Sequence, residues 1–385
     1  MSKALAALLG GAAAVVALVG LVIVYICFRM LHDRSVSRTS ETNSSDPSLQ
    51  LGQNIGPSFG SRTSYPYDFQ GATCFMLEEL DQATKNFSEI NLIGVGQFGE
   101  VYKGLLPDML VAIKRRQAAP SQEFIQVVQN LSCISHRNLV NLLGYCQESD
   151  LQMLIYEYIT NGSISSHLYG VSHTSNEKLE FKHRLSIACG AAKGLAHLHS
   201  LNPPLIHMDF RTSNVLVDEN FAPKVADAGL RNLLHRKDGA GPSFPMTADD
   251  LFLDPGVNVS QGFTEKSDVY SFGVFLLELI GGQEATQFQF MGSNQSIIEW
   301  AQSYHSSRDI SNIVDHKMTS SYTDNVMREF LQLAVSCLDP SSSRRPLMNF
   351  VVSELDRILE KEMSLTTIMG EVTPSVTLGS ELFTS

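Results

Sequence analysis

The sequence predicts an α+β fold of two lobes, in which a strand-rich part is followed by a helical part. Strand patterns dominate from Leu92 to Ile159 and are interrupted by one helix near Gln122–Leu131. Afterwards apolar residues recur at helical spacing in Phe181–His199, Asp268–Ile280 and Phe330–Leu338. A cleft between two such lobes is the expected place for a ligand.

Length and composition restrict the classes of function. The 385 residues leave room for one large domain with flanking segments, and a hydrophobic fraction of 43% supports a core. Because the formal net charge is −12, a nucleic-acid partner is not expected. The six cysteines follow neither a zinc spacing nor a disulfide framework, which suits a reducing compartment.

The N-terminal segment predicts a single-pass membrane anchor. Residues Ala4 to Phe28 carry no charge, and as a helix they are long enough to cross a bilayer core of about 30 Å. This run is longer than a secretory h-region and lacks a convincing cleavage site, so we expect an uncleaved transmembrane helix over 4–28. Arginines follow it, whereas only Lys3 precedes it, so residues 1–3 should lie outside and the rest in the cytosol.

Composition divides the remaining chain into three parts. Residues 29–74 are expected to be a flexible juxtamembrane segment, because most of it is rich in Ser, Thr, Gly, Asn and Pro. A globular pattern covers residues 75–360, and residues 361–385 are expected to form a loose tail. Cys27, at the inner end of the anchor, is either a palmitoylation site or a lipid-facing thiol.

A glycine-rich motif opens the strand-rich part. Asn91–Tyr102 reads Asn-Leu-Ile-Gly-Val-Gly-Gln-Phe-Gly-Glu-Val-Tyr, and Val111–Lys114 supplies a lysine on the next strand. A dinucleotide-binding fingerprint needs a helix directly after its glycines, but here a strand follows. Gly94, Gly96 and Gly99 would let the backbone approach phosphates without a Cβ clash. The context is that of a protein-kinase nucleotide lobe.

Further motifs, in order along the chain, make residues 75–360 resemble the plant receptor-like kinases of the serine/threonine protein-kinase superfamily. These motifs are Phe75–Phe87, His136–Val140, Asn161–Ser163, Leu253–Pro255, Thr264–Gly273 and Arg345–Pro346. The resemblance implies a bilobal protein-kinase fold with ATP and Mg²⁺ as cofactors. It also implies signalling at the plasma membrane, with other membrane receptor kinases or cytosolic signalling proteins as partners.

The resemblance also assigns the nucleotide site residue by residue. Lys114 would pair with the α- and β-phosphates, behind a gatekeeper Tyr156 at the adenine. Asn214 and Asp227 match the two metal positions, where Mg²⁺ prefers carboxylate and amide oxygens plus phosphate. The phosphate cover and adenine pocket would comprise Ile93, Gly94, Val95, Gly96, Gly99, Val101, Ala112, Leu216 and the backbone of Glu157 and Ile159.

Four residues form the implied catalytic set: Lys114, Asp209, Arg211 and Asn214. Asp209 matches the aspartate that accepts or orients the proton of the substrate hydroxyl. Arg211 stands where serine/threonine kinases carry lysine. Because a guanidinium fork differs in geometry from an ammonium group, this exchange is not neutral.

Several positions depart from the family pattern in the nucleotide lobe and the catalytic loop. Val127 replaces the glutamate that pairs with Lys114 in relatives. Glu123, one helical turn away, is either exposed or becomes the partner through a helix shift. Met208 replaces the arginine of His-Arg-Asp and cannot pair with a phosphate. Ala228 replaces the phenylalanine of Asp-Phe-Gly, which leaves the space beneath the helix underfilled.

The segment that would face a protein substrate departs further. Asp249 stands in place of a threonine, Leu251 of a glycine, Gly256 of a glutamate and Val257 of a tyrosine. The expected ion-pair partner of that glutamate, Arg345, is present and must find another group.

Two further features have alternative explanations. His197 and His199 could hold a metal, but they end a helix in the family's Gly-Leu-x-x-Leu-His pattern, which favours a structural role. Asp268 could be an acid, whereas the resemblance implies a buried brace for the backbone of the catalytic loop.

The retained and the lost residues support two functions. One is a membrane-anchored kinase domain that binds ATP and Mg²⁺ and transfers phosphate weakly to Ser or Thr. The alternative is a catalytically inactive pseudokinase that acts as a scaffold or allosteric partner of an active kinase.

We expect the full chain to fractionate as an integral membrane protein with its globular part in the cytosol, because the uncharged run precedes the arginines. Carbonate washing of membranes and protease treatment of sealed cells would test this. Release by carbonate, or digestion of the globular part from outside, would contradict the anchor.

Overall fold

The computed structural model describes most of the globular part, namely residues 72–170, 179–234, 251–257, 262–288, 297–305, 310–318 and 322–370. In these ranges a strand-rich lobe precedes a helical lobe, which confirms the predicted α+β arrangement. The predicted transmembrane helix at 4–28 and residues 1–3 lie outside the described residues. Within the described part, no helix combines the length and apolar character needed to cross a membrane.

The first lobe is a sheet of six described strands with two helices. In chain order its elements are β1 (Thr73–Cys74), α1 (Leu77–Thr84), β2 (Leu92–Val95), β3 (Glu100–Leu106), β4 (Met109–Gln117), α2 (Gln122–Ser132), β5 (Leu142–Glu148) and β6 (Leu151–Glu157). The order across the sheet is β1-β5-β6-β4-β3-β2, and only the β1–β5 pair is parallel. The register sets Gly94 opposite Val101 and Val101 opposite Lys114, which brings the glycine-rich turn close to the lysine.

Helix α2 begins at a serine cap and buries one apolar face. The hydroxyl of Ser121 accepts a hydrogen bond of 3.2 Å from the backbone N–H of Phe124. Phe124, Val128 and Leu131 recur at helical spacing and are buried in the core of the lobe. Val127 is half-buried beside them and packs against the same core. The position where relatives carry the glutamate that pairs with Lys114 is therefore occupied by an apolar side chain that packs in the core.

The second lobe is mainly helical. Its elements are α3 (Ile164–Tyr169), α4 (Phe181–Ser200), β7 (Val215–Val217), β8 (Pro223–Val225), α5 (Arg231–Leu234), α6 (Glu265–Gly281), α7 (Ile297–His305), α8 (Asp324–Cys337) and α9 (Met348–Gly370). Helix α6 is buried along almost its whole length, because its sequence is apolar on every face. It is the centre of this lobe's core.

Three phenylalanines fasten the catalytic loop to α6. Phe210, next to Asp209 in the chain, packs against Phe272 and Phe275 with ring centroids 5.6 and 5.3 Å away. All three side chains are fully buried. Aromatic contacts at these distances add to the free energy gained by burial alone. The position of Asp209 is therefore fixed by the core of the second lobe.

The described elements extend past the predicted boundaries at both ends. Thr73 and Cys74, predicted in the juxtamembrane segment, form β1 because Gly144 on β5 leaves room for it. A Cβ atom at Gly144 would lie 2.3 Å from the carbonyl oxygen of Thr73. At the other end, α9 continues beyond Lys361, where a loose tail was predicted. The ammonium of Lys361 lies 2.5 Å from the carboxylate of Glu329 on α8, which holds this turn.

Arg345 has a replacement partner. Its guanidinium donates two hydrogen bonds to the carboxylate of Asp254, of 2.6 and 2.8 Å, and one of 2.9 Å to the carbonyl oxygen of Lys266. Arg345 and Asp254 are both nearly fully buried. Asp254 also accepts a hydrogen bond of 2.8 Å from the backbone N–H of Gly256. Asp254 therefore gives Arg345 the carboxylate partner that the family pattern places at position 256.

The substitution Asp254→Asn should lower the free energy of unfolding by about 3–5 kcal/mol, because it leaves the buried Arg345 charge without a carboxylate. Urea denaturation would measure the loss. Arg344→Gln is the matched control, because the ion pair of Arg344 with Asp339 is largely exposed and should contribute at most about 1 kcal/mol. Equal effects of the two substitutions would contradict the structural role of Asp254.

Candidate functional site

Two adjoining cavities between the lobes bring together all the residues predicted for the nucleotide site. The larger cavity, of about 520 Å³, is lined by Ile93, Gly94, Val95, Gly96, Val101, Ala112, Lys114, Glu157, Ile159, Asn214, Leu216 and Asp227. The smaller one, of about 180 Å³, adds Gly99, Asp209 and Arg211 and shares Lys114 and Asp227 with the first. The first volume lies within the range of small-molecule sites in proteins.

The glycine-rich turn is closed by its own backbone. The N–H of Gly96 donates to the carbonyl oxygen of Gly99 at 2.8 Å, and the reverse bond is 3.1 Å long. Gly99 has a φ of +143°, and a Cβ atom there would lie 2.2 Å from the carbonyl oxygen of Arg115. Between these glycines Phe98 is buried in the core of the first lobe. The side chain of Phe98 thus anchors the turn to the lobe.

The catalytic loop is held by Asp268 on α6. This buried carboxylate accepts hydrogen bonds from the backbone N–H groups of His207 and Met208, at 2.8 and 2.9 Å. The contact confirms the predicted brace. The Nε2 atom of His199 lies 2.8 Å from the same carboxylate, and the ring of His197 stacks on another histidine. Among the described residues there is no group of three His, Cys, Asp or Glu side chains that could hold a metal ion.

The carboxylate of Asp209 is engaged by two side chains of its own loop. The Nε and Nη2 atoms of Arg211 each lie 2.9 Å from its Oδ1 atom. Asn214 donates to the backbone oxygen of Asp209 at 2.8 Å and to its Oδ2 atom at 3.3 Å. The guanidinium of Arg211 also lies 5.5 Å from the ring centroid of Phe252. The fork of Arg211 therefore occupies one oxygen of the carboxylate that a substrate hydroxyl would need.

A second buried carboxylate on α6 supports the same loop and was not predicted. Glu278 accepts hydrogen bonds from the hydroxyl of Thr212, from Tyr169 at 3.2 Å and from the backbone N–H of Ala285 at 2.8 Å. Burial raises the pKa of Glu278 and that of Tyr169. The signal in the sequence was a single glutamate within the long apolar run of α6.

Lys114 pairs with Asp227. The ammonium contacts the Oδ1 atom of that carboxylate, and both side chains are largely buried. Glu123 is half-buried and lies near Arg116. Burial lowers the pKa of the Arg116 guanidinium, and the charge of Glu123 opposes this shift. Glu123 is therefore not the partner of Lys114, and its side chain is partly exposed.

The segment after Asp227 packs against the first lobe. Leu230, just before α5, and Leu233 within it are buried in the core of that lobe with residues of α2. Arg116 donates to the carbonyl oxygen of Leu233 at 3.3 Å. A cavity of about 30 Å³ lies beside Ala228 and is also lined by Leu131 of α2. The space predicted beneath this helix is therefore present, and it is small.

Met208 and Asp227 both adopt a left-handed backbone conformation with a φ of +69°. For residues other than glycine this costs about 1–2 kcal/mol each. Arg231 donates to the carbonyl oxygen of Met208 at 3.0 Å, and the N–H groups of that loop are held by Asp268. Both strained residues therefore lie where surrounding hydrogen bonds define the backbone.

The two predicted metal ligands meet different conditions. The amide nitrogen of Asn214 donates to Asp209, and both Asn214 and Asp227 line the larger cavity. The carboxylate of Asp227 is paired with Lys114. The donor types of this pair suit Mg²⁺. A divalent cation would have to displace the ammonium or share the carboxylate of Asp227 with it.

The described geometry agrees with the comparison with known proteins. The family model described as protein tyrosine and serine/threonine kinase matches residues 87–355. The chain belongs to this family. The bilobal protein-kinase fold predicted from the sequence is confirmed.

Its curated relatives include receptor kinases and a probable serine/threonine-protein kinase of plants, which confirms the resemblance. The kinase domain is 38% identical over 303 residues to the nodulation receptor kinase of Pisum sativum, covering 77% of this chain and 32% of that protein. It is 38% identical over 301 residues to the receptor-like protein kinase THESEUS 1 of Arabidopsis thaliana, covering 77% and 35%. It is 35% identical over 309 residues to the probable serine/threonine-protein kinase PBL23 of Arabidopsis thaliana, covering 78% and 80%. The match spans about a third of the length of the two receptor kinases.

A solved structure resembles the kinase domain as well. The pseudokinase domain of BIR2, described as an immune regulator of the RLK/Pelle family, superimposes with a TM-score of 0.61 at 29% identity. The match covers 74% of this chain and 86% of that one.

The substitution Gly99→Ala should destabilise this kinase domain by about 1–3 kcal/mol, because its φ is strained for alanine and the Cβ atom meets backbone. Gly96→Ala is the matched control in the same turn, since no heavy atom lies within 4 Å of its added Cβ. Thermal unfolding without nucleotide would compare them. A Tm of Gly99→Ala equal to that of Gly96→Ala would contradict the described turn.

Proposed function

We propose that this kinase domain binds ATP, is anchored in the plasma membrane, and transfers phosphate weakly to serine or threonine in signalling. The observation that carries the proposal is the pairing of Lys114 with Asp227, without an acidic residue of α2 at the lysine. The cavity retains the residues that hold a nucleotide, whereas the arrangement that makes phosphotransfer fast is weakened.

Nucleotide binding is supported by the walls of the larger cavity. Val101, Ala112 and Leu216 supply apolar surface for a flat ring. The carboxylate of Glu157 is occupied by Lys224 and by the backbone N–H of Asn141, at 2.9 and 2.8 Å. The backbone N–H of Glu157 donates to the carbonyl oxygen of Asn141 at 3.2 Å, so the backbone carbonyl oxygen of Glu157 is the group that this residue would offer to the adenine edge.

Weak transfer follows from poor positioning rather than from the absence of a catalytic group. Phosphoryl transfer depends almost entirely on positioning and charge stabilisation. Asp209 is present, but Arg211 occupies its carboxylate, and Lys114 is drawn to Asp227. Each loss of about 1.4 kcal/mol in the stabilisation of the transition state slows the reaction roughly tenfold. Two such defects lower the rate by several orders of magnitude when each costs a few kcal/mol.

The second candidate is a catalytically inactive pseudokinase that acts as a scaffold or allosteric partner of an active kinase. It is favoured by the similarity to the BIR2 pseudokinase domain together with the losses at Val127, Met208 and Ala228. In either case the partners we propose are other membrane receptor kinases or cytosolic signalling proteins.

A radiolabel phosphotransfer assay on the full chain separates the two candidates. We expect slow autophosphorylation that Asp209→Asn abolishes. In a separate thermal-unfolding measurement, ATP should raise the Tm, because ATP at one hundred times its dissociation constant adds about 2.7 kcal/mol to the free energy of unfolding. Lys114→Met should reduce the thermal shift. No shift at millimolar ATP, together with no heat of binding, would refute the nucleotide site. Phosphotransfer at ordinary kinase rates would refute weak transfer, and none above Asp209→Asn would favour the pseudokinase.

A further inference from the structure

We propose that Lys114 takes the place of the metal ion at Asp227, so that this site binds its nucleoside polyphosphate in the metal-free form. The inference rests on the proposed nucleotide site and adds that its affinity for ATP does not depend on Mg²⁺. Asp227 then serves as the counter-ion of the lysine.

The first step is the position of Lys114. Its ammonium contacts Oδ1 of Asp227, and the exposed fractions of the two side chains are only 15% and 23%. Val127 stands at the position of α2 where relatives carry the glutamate that pairs with this lysine, and its side chain has no charge. Glu123 lies near Arg116 instead. Among the described residues, Asp227 is therefore the one carboxylate that pairs with Lys114.

The second step is the repulsion that a metal would meet. Mg²⁺ binds carboxylate oxygens at about 2.1 Å, so an ion on Asp227 would lie on the order of 4 Å from the ammonium of Lys114. Like charges at that separation repel strongly in a largely buried site. Without a carboxylate on α2 to receive the lysine, an ion at Asp227 would leave the ammonium only the phosphates of the nucleotide as counter-ions.

The third step is the charge of the cavity walls. The described residues around the smaller cavity include three cations, Lys114, Arg211 and Arg231, and two carboxylates, Asp209 and Asp227. Each carboxylate is already paired with one of these cations. Cationic side chains therefore surround a polyanion in this cavity whether or not a metal ion is present.

The fourth step is the donor capacity of Lys114. An ammonium group has three N–H donors, and one contact to Asp227 leaves others for phosphate oxygens. The lysine can therefore hold Asp227 and a phosphate together. The ligand class that fits is a nucleoside triphosphate or diphosphate carrying its full negative charge.

The test is calorimetric titration of the full chain, purified in detergent, with ATP in excess EDTA and in Mg²⁺ at matched ionic strength. We expect a dissociation constant in EDTA no weaker than that in Mg²⁺. The variant Val127→Glu returns a carboxylate to α2, so it should draw Lys114 from Asp227. Mg²⁺ should then lower the dissociation constant of this variant for ATP about tenfold, which corresponds to about 1.4 kcal/mol of binding free energy.

Gln126→Glu is the matched control, because it adds the same charge at an exposed neighbouring position of α2. The affinity of this variant for ATP should not depend on Mg²⁺, as expected for the unmodified chain. Binding by the unmodified chain only in Mg²⁺ would overturn this inference and leave the proposed nucleotide site standing. An absence of binding in both media would overturn the proposed site itself. A folded Val127→Glu variant that remains indifferent to Mg²⁺ would overturn the role of Lys114.

Asp227→Asn provides a second variant should Val127→Glu fail to fold. If Asp227 serves the lysine, its loss should change ATP affinity equally in EDTA and in Mg²⁺. A loss confined to the Mg²⁺ medium would identify Asp227 as a metal ligand and overturn the inference.

Discussion

Two buried carboxylates on one apolar helix hold the catalytic loop, and the arrangement of the site depends on them. Asp268, near the start of α6, accepts hydrogen bonds from the backbone N–H groups of His207 and Met208. Glu278, near the end of α6, accepts one from the hydroxyl of Thr212. Ten residues of helix separate the two carboxylates by about 15 Å. The loop is therefore held at two separate points by a helix that is fixed in the core on every side. Changes within the loop, such as methionine at 208, alter its chemistry without releasing it.

The fold and most of the cavity walls could be predicted from the sequence, because they depend on local patterns. Glycine spacing, strand context and a lysine on the next strand sufficed to predict which residues line the cavity between the lobes. Pairings between distant residues could not be predicted. Lys114 and Asp227 lie 113 positions apart, and no local pattern around either residue indicates their contact. The sequence at Val127 showed that a partner was missing, but not which group would replace it.

The prediction also missed groups whose role appears only in packing. Glu278 looked like one polar residue in an apolar run, yet burial next to Thr212 and Tyr169 makes it a support for the catalytic loop. The end of the juxtamembrane segment looked like linker, but the bare backbone of Gly144 allows β1 to pair there. Leu230 and Leu233, whose packing was not predicted, are buried in the core of the first lobe with residues of α2. In each case, where the residue or segment packs depends on a neighbour that is distant in the sequence.

The pairing of Arg345 with Asp254 has a consequence for how this chain can evolve. When the buried arginine depends on a glutamate at position 256, selection for folding and selection for substrate binding act on the same residue. Here Asp254 satisfies the arginine, and Gly256 contributes only a backbone N–H. Position 256 is thereby released from the purifying selection that folding imposes. Mutations in the substrate-facing segment can then accumulate or be selected for another purpose, and the loss of the glutamate by itself is no sign of a decaying fold.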